Sequence, residues 1–465
     1  MSDPLSLVPL AAAARGGRVD THATRDLVAA GVTLLQRCAP LVRALDGHRA
    51  AILLPTSPAF LVALAASDGR GTVLINPLSA PAEVAQQIAD ANVGAVFTID
   101  ALQHRLPGRF PRVMLDDAPG RARVLIAGED RAVDLGSHLG LALEGELDAP
   151  GRDEEAVVVF TSAMAGMPLG AILTHRNLLA NARAIAEGAA LNGETVSLAV
   201  LPFAYPLGFT ASLMAPLIAG GRVVTTPRFS ALRSLDLLRT EGVTLLVGVP
   251  AVFAGLLAAL DRDGGRLEAH ALRVCITGGA PLDDTLQARW HSATGVELRQ
   301  SYGLTEAAPV CLFNAVAAEN RRGTLGAALP GVEVAIRDEE ICVRGDNVFR
   351  GYIAGGDAGL ALRDGWLHTG DRGVIDADGY VTFTGVAKPM FTRNGFNVYP
   401  REIERVVGAM PGVRSVVARA IPEPTRGNDI ALEIAASVTP DEVRRWCEAK
   451  LSEYKRPSRI EFREE

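Results

Sequence analysis

The residues of this chain best suited to chemistry lie in short stretches that carry glycine or proline. In YGLTE (302–306) a hydroxyl, Thr305, and a carboxylate, Glu306, flank a turn, and such a pair suits a magnesium ion shared with a phosphate. In FTSAMAGMPLGAILTHRN (160–177), Gly166, Pro168 and Gly170 force a sharp turn after the run Val157, Val158, Val159 and Phe160. A small-residue loop that leaves a buried strand exposes backbone N–H groups able to face an anion. TGGAP (277–281) permits close backbone approach through Gly278 and Gly279, beside Ala280. LHTGDRG (367–373) presents Asp371, a group that only accepts hydrogen bonds when ionised. LPFAYPLG (201–208) sets Tyr205 among apolar neighbours. Taken singly, each has a plain alternative. Alone, Glu306 reads sooner as a solvated carboxylate at a strand end; Asp371 has a plain reading as a turn residue, and the glycines of 277–281 as an ordinary turn. Asp378-Gly379 is a hairpin turn on any reading.

The elements that must position these residues alternate between strand and helix. Residues 24–46 pattern as a helix, AAILLP as a strand, and SPAFLVALAASDG as a helix capped by Ser57 with Pro58 at its first position. TVLINP, APAEVAQQIADAN and AVFTI continue as strand, helix and strand. Further strands are expected at 157–160, 197–201, 223–226, 243–247, 273–277 and 296–301, with a short returning strand at 171–173. Thr174 or Asn177 caps the helix that follows. Such alternation predicts an α/β protein with doubly wound sheets. The loops singled out above follow these strands, and ligands of open parallel sheets sit outside strand carboxyl ends. One shared crevice is therefore expected.

From 326 to 387 short strands and turns predict a small β-rich subdomain. From 388 to 465 the pattern predicts a small α+β unit, whose later helix opens on a capping box, Thr439-Pro440-Asp441-Glu442. The expected division is a large domain over 1–387, made of 1–150, 151–325 and 326–387, and a lid over 388–465. A chain of 465 residues exceeds one typical core. Its net charge of −7 disfavours nucleic acid or an anionic membrane as the main partner. No apolar run reaches transmembrane length, and MSDPLSLVPL lacks a basic leader region, so a cytoplasmic protein is expected. The five cysteines are scattered without a CxxC pair and read as buried, inert thiols. The three lysines are Lys388, Lys450 and Lys455; every earlier cation is arginine, which does not replace a point-charge lysine.

In order and spacing, these stretches resemble the motifs of the adenylate-forming superfamily, which contains acyl-CoA synthetases, peptide-synthetase adenylation domains and luciferases. Residues 160–177 resemble its TSGTTG-x-PKG loop through Thr161, Ser162, Gly166, Pro168, Gly170, Thr174, His175 and Asn177. Residues 385–404 resemble GRxKDxIxxxGxxVxPxEIE, the strongest match, and 454–462 resemble YKxPxxIxF. The resemblance implies binding of ATP or AMP by Thr161, Ser162, Gly166, Gly170, Gly278, Gly279, Ala280, Tyr302, Gly303, Thr305 and Asp371. Within that set Tyr302 stacks on adenine, Thr305 bonds the α-phosphate and Asp371 holds the ribose. It also implies Mg²⁺ on Glu306, a catalytic set of Thr305, Glu306 and Lys388, and an acyl pocket at Phe203, Tyr205, Gly208, Val249 and Gly279. Tyr205 reads evenly as an acyl gate or a core aromatic.

The implied reaction joins a hydrophobic or aryl carboxylate to ATP as an acyl-adenylate. The acyl group then passes to a thiol, either CoA or a carrier protein's pantetheine, with lid rotation at the hinge separating the two steps. The chain departs from the family at Ala163, Met164 and Ala165, at Leu169 for a lysine, at Val386 for an arginine and at Pro389 for the hinge aspartate. The given sequence closes at Glu465, ahead of the family's last lysine, and Lys450 and Lys455 read as solvated helix-end charges. Two functions stay open: an acid–thiol ligase with slowed or specialised adenylation, and a non-catalytic relative that binds a nucleotide, acyl-adenylate or thioester and acts through a partner.

Overall fold

The computed structural model describes residues 16–67, 69–115, 120–135, 153–161, 168–353, 361–386, 391–393, 396–423 and 427–463. Two nine-stranded sheets form most of the body. The first runs, in spatial order, from Gly351–Tyr352 through Gly170–Thr174, Glu155–Phe160, Thr72–Leu74, Arg49–Ile52, Val93–Thr98, Arg112–Leu115 and Arg121–Ile126 to Glu129–Asp134. Its middle is parallel. Its edges are antiparallel hairpins. The outer hairpin, which the alternation pattern did not reveal, turns on Ala127 and Gly128 with φ of 55° and 83°. Two positive φ values are what a two-residue hairpin turn needs, but alanine is not a residue that advertises them.

The second sheet holds Leu298–Gly303, Val274–Thr277, Leu245–Gly248, Val196–Ala199 and Arg222–Thr225 in a parallel run. The central strands Leu245–Gly248 and Val274–Thr277 are buried along their whole length, which is why they read as continuous apolar runs rather than alternating ones. The six strands expected between 151 and 325 all appear, within two residues of the expected ends. Arg18–Val19 joins the far edge of this sheet beside Arg222–Val223.

Two helical expectations change in detail. The segment 24–46 is two helices, Thr24–Arg37 and Ala39–Leu45, bent by 88° at Cys38, because Pro40 cannot continue the first helix's hydrogen bonds. Helix Ala59–Ala66 starts after Pro58 without a side-chain cap, so Ser57 does not serve that role. Thr174 does cap His175–Gly188, exchanging hydrogen bonds with Asn177 at 2.8 and 3.2 Å. That cap fixes the angle at which the chain leaves the returning strand Gly170–Thr174.

A third, antiparallel sheet contains Val332–Arg337, Glu340–Gly345, Trp366–Ile375, Leu362–Arg363 and Val381–Val386. Beyond it lie a hairpin, Phe391–Arg393 with Phe396–Val398, and a three-stranded sheet flanked by helices Pro400–Gly408 and Pro440–Lys450. This C-terminal unit has its own core, built on Val398, Ile403, Val407, Ile430, Leu432 and Val443. Among the described residues no single helix is long and apolar enough to cross a membrane.

Candidate active site

Loops from all three sheets and from the C-terminal unit close around one cavity of about 670 Å³. Thr161, Tyr205, Gly278, Gly279, Ala280, Tyr302, Gly303, Thr305, Glu306 and Asp371 line it. These residues are spread over 211 positions of sequence (161 to 371), and strand-end placement brings them together.

Each local conformation has a cause. The strand Leu298–Gly303 slips register after Tyr302, and a Cβ at Gly303 would sit 1.7 Å from the carbonyl oxygen of Pro309. Only glycine fits there, so Tyr302 points one way and Thr305 begins a short turn on the cavity wall. Gly279 has φ of 75°, which lets TGGAP fold back under the cavity. Thr161 donates its backbone N–H to Leu169 at 2.9 Å and closes the base of the loop whose Ser162 and Gly166 lie outside the described residues.

Tyr302 donates its hydroxyl to Asp371 Oδ2 at 2.7 Å. Burial raises the Asp371 carboxyl above its ordinary pKa, while the Tyr302 hydrogen bond lowers it. The strand that carries Asp371 is held from behind. Glu340 accepts from the backbone N–H of Gly370 at 2.7 Å and contacts His368 Nδ1 at 2.8 Å. Thr369 donates to the carbonyl of Ile341 and accepts from the N–H of Asp371. Glu306 is buried and accepts from the Tyr352 hydroxyl at 2.7 Å. Burial pushes its pKa up as well. Mg²⁺ keeps several waters and needs few protein oxygens, so a buried carboxylate and a neighbouring hydroxyl residue, Thr305, on the same cavity wall are donor types that would suit it.

The C-terminal hairpin lies over this cavity. Phe396 meets Tyr205 edge-on at 5.9 Å and stacks on Tyr454 at 4.4 Å. Burial pushes the Tyr205 phenol up to about 12, so it is a neutral, largely apolar wall.

Several expected residues lie elsewhere. Phe203 is in the core against Phe60, with ring centroids 5.4 Å apart, because it falls on the opposite side of the turn from Tyr205. Gly208 packs against the carbonyl of Pro202 at the start of a helical segment, and Val249 is the buried residue before helix Pro250–Leu260. None of the three lines the cavity. Gly170 faces Ile353, where a Cβ would come within 2.7 Å, and is likewise absent from the wall. Lys388 lies outside the described residues.

Lys455 is a correction of another kind. It is buried rather than solvated, paired with Glu83 at 2.9 Å and Glu402 at 2.7 Å, and it lines the cavity. Its partners are 372 and 53 residues away, so no local pattern marks them. Lys450 does remain exposed, over the Trp446 ring. All five cysteines are buried and unpaired, as their scatter implied.

The family model for AMP-binding enzymes matches residues 40–353, about two thirds of the chain, and that for their C-terminal domain matches 402–465. The chain belongs to the AMP-binding enzymes. It is 27% identical to a long-chain-fatty-acid–CoA ligase of Bacillus subtilis, over 90% of this chain and 82% of the relative. It is 31% identical, over 74% of this chain and 71% of the relative, to a Rhodococcus jostii CoA ligase for a methyl-dioxo-octahydroindenyl propanoate. Among solved structures, a malonyl-CoA ligase in a product complex with methylmalonyl-CoA and AMP superposes with a TM-score of 0.79. It is 28% identical and covers 96% of this chain and 95% of that one. This AMP-binding enzyme is thus of the acyl-CoA synthetase type and an adenylate-forming superfamily member.

Proposed function

We propose that this AMP-binding enzyme is a cytoplasmic acid–thiol ligase, with a nucleotide-binding body up to residue 387 and a mobile lid from 388. It converts an apolar monocarboxylate and ATP to acyl-adenylate and pyrophosphate, then transfers the acyl group to a thiol, releasing AMP. The convergence of Tyr302, Thr305, Glu306 and Asp371 on one cavity supports the reading most directly. In this reading Asp371 accepts from ribose hydroxyls and Tyr302 offers a ring for the base. In the same reading Thr305 would bond the α-phosphate and Glu306 would help hold a magnesium ion, which would screen phosphate charge when bound.

The cavity wall also narrows the acid. Its described charged residues are Glu83, Glu306, Asp371 and Lys455, and the one cation is already paired with two carboxylates. A second carboxylate on the substrate would find no unpaired cation among the described residues of this wall, and desolvating it there would cost on the order of several kcal/mol. Tyr205, Leu207, Pro281 and Leu304 instead offer apolar surface. The described wall suits an aliphatic or aryl acid with one carboxylate better than a dicarboxylate. The acceptor is a CoA-type or carrier-borne pantetheine thiol.

A second reading has one observation behind it. Leu169 occupies the place of the phosphate-loop lysine and packs against the core. Without that cation the site is poor for a triphosphate, which favours a binder of AMP, acyl-adenylate or thioester acting through a partner. Calorimetric titration with AMP, ATP–Mg²⁺ and a non-hydrolysable acyl-adenylate analogue, followed by a pyrophosphate-release screen of mono- and dicarboxylates, separates the two. Pyrophosphate release with apolar monocarboxylates supports the ligase. Tight analogue binding with no release from any acid supports the binder, and no binding at all sinks both.

A further inference from the structure

We infer that Glu83 and Lys455 form a latch that holds the C-terminal unit in the arrangement with its hairpin over Tyr205. They are positioning residues for the thiol-transfer step, an inference that rests on the ligase reading for its catalytic part alone. The observation is a buried three-residue charge cluster that spans two bodies. The Lys455 side chain is 5% exposed, and its ammonium lies 2.7 Å from Glu402 Oε1 and 2.9 Å from Glu83 Oε1. Glu402 belongs to helix Pro400–Gly408 of the same C-terminal unit; Glu83 belongs to helix Pro81–Asp90 beside the first sheet. The Ser452 hydroxyl donates to the second oxygen of Glu83, which also accepts from the N–H of Ala80 at 2.9 Å.

The division of partners decides the role. Were Lys455 needed only to fold the C-terminal unit, Glu402 would suffice to neutralise it. The second carboxylate comes from outside that unit. When the unit turns away, Lys455 and Glu402 travel together as a neutral pair, and only Glu83 is released to water. No buried charge is stranded by the movement, so the contact can open and close. In this structure two carboxylates share one ammonium, and Glu402 Oε2 has no hydrogen-bond partner among the described residues. The trio taken alone carries one excess negative charge, part of which Arg105, close enough to Glu83 to interact with it, offsets.

A packed path joins the latch to the cavity. Tyr454, next to Lys455 in sequence, stacks on Phe396 at 4.4 Å with ring planes 21° apart, and Phe396 meets Tyr205. Holding Lys455 on Glu83 thus seats the hairpin on the cavity wall.

The test uses the full chain with spin labels at L232C and V417C, exposed positions on the body and on the C-terminal unit. The native cysteines are buried and leave these sites as the reactive ones. The parent is expected to show one dominant distance. E83Q and K455M should each shift the ratio of populations about tenfold toward a second distance, and the double variant should add little, since both remove one contact. E83D keeps the charge but withdraws the oxygen by one methylene and should give a smaller shift. Thioester formation from supplied acyl-adenylate should fall about tenfold in E83Q, and pyrophosphate release should fall less. A distance distribution in E83Q and E83D that superimposes on the parent overturns the latch. If the parent activates no acid at all, the ligase reading fails while the distances still decide the latch.

Discussion

Removing the carboxylate of Asp371 should cost this enzyme most of its affinity for AMP, and the hydrogen bonds around that residue set the size of the loss. In Asp371→Ala the two bonds expected from the ribose hydroxyls disappear, each worth about 1.5–3 kcal/mol for a charged acceptor. Two terms reduce the sum. The free protein already satisfies Asp371 Oδ2 with the Tyr302 hydroxyl, and the substitution relieves a carboxylate that burial disfavours. A net loss of about 2–4 kcal/mol remains, or about 30- to 1,000-fold in Kd. Tyr302→Phe keeps the ring for the base and both carboxylate oxygens, so it should cost less than about tenfold. The assay is calorimetric titration with AMP and with 2′-deoxy- and 3′-deoxy-AMP. In the parent each missing hydroxyl should weaken binding; in Asp371→Ala neither should matter further. Binding should also weaken on acidification, because protonated Asp371 loses acceptor strength. Burial sets that midpoint above the usual aspartate value of about 3.9, and Tyr302→Phe should raise it again by removing a bond that favours the ionised form. A change under threefold in Asp371→Ala, or deoxy-nucleotides that discriminate equally in parent and variant, would show that Asp371 does not hold the ribose.

Three further perturbations follow from the same geometry. Leu169→Lys should restore a cation near the phosphates and raise pyrophosphate release by about 10²-fold with an accepted acid. It should also lower the urea midpoint, because Leu169 packs on the core. Glu306→Gln should abolish adenylate formation yet stabilise the free protein by about 1 kcal/mol at pH 7, read by urea unfolding. The sign follows from burial raising the folded-state pKa of Glu306. Its stabilising contribution is full below the unfolded value and is lost as pH rises through the folded one, so the gain should vanish at acidic pH. Gly303→Ala should destabilise by about 2 kcal/mol or more and reduce AMP binding, since its Cβ would collide with Pro309 and shift both Tyr302 and Thr305.

The parts of this molecule that were legible in its sequence are those in which local pattern and tertiary need agree. The parallel strands are buried on both faces and therefore read as apolar runs, and the residues that face the cavity follow directly after them. The capping pair Thr174 and Asn177 is a three-residue relation and could be read directly. The acyl pocket was less legible, because a motif gives residue order but not side-chain direction. Phe203 and Tyr205 are two positions apart, yet one enters the core and the other the cavity. Glu340 and His368 behind Asp371 were invisible for a similar reason: they meet only through cross-strand pairing of Glu340–Gly345 with Trp366–Ile375.

Lys455 shows where a composition argument stops. With three lysines in 465 residues, Lys388 alone read as catalytic, while Lys450 and Lys455, at or near the end of helix Pro440–Lys450, read as solvated charges. The fold instead spends this lysine on two carboxylates from different bodies. An ammonium so neutralised adds little field at Thr305 or Glu306. The described wall thus stays negative even though it contains a lysine, and the same pairing that denies the site a cation ties the hairpin to it. On the ligase reading, a site whose described wall holds no unpaired cation should serve adenylation from ATP less well than transfer from a ready-made adenylate. On that ground thioester formation from supplied acyl-adenylate should outpace adenylation from ATP by about 10²-fold, the scale of one missing positioned charge. Rapid-quench measurement of both half-reactions on one acid checks this. Adenylation as fast as transfer would mean that another group, Lys388 foremost, supplies the charge.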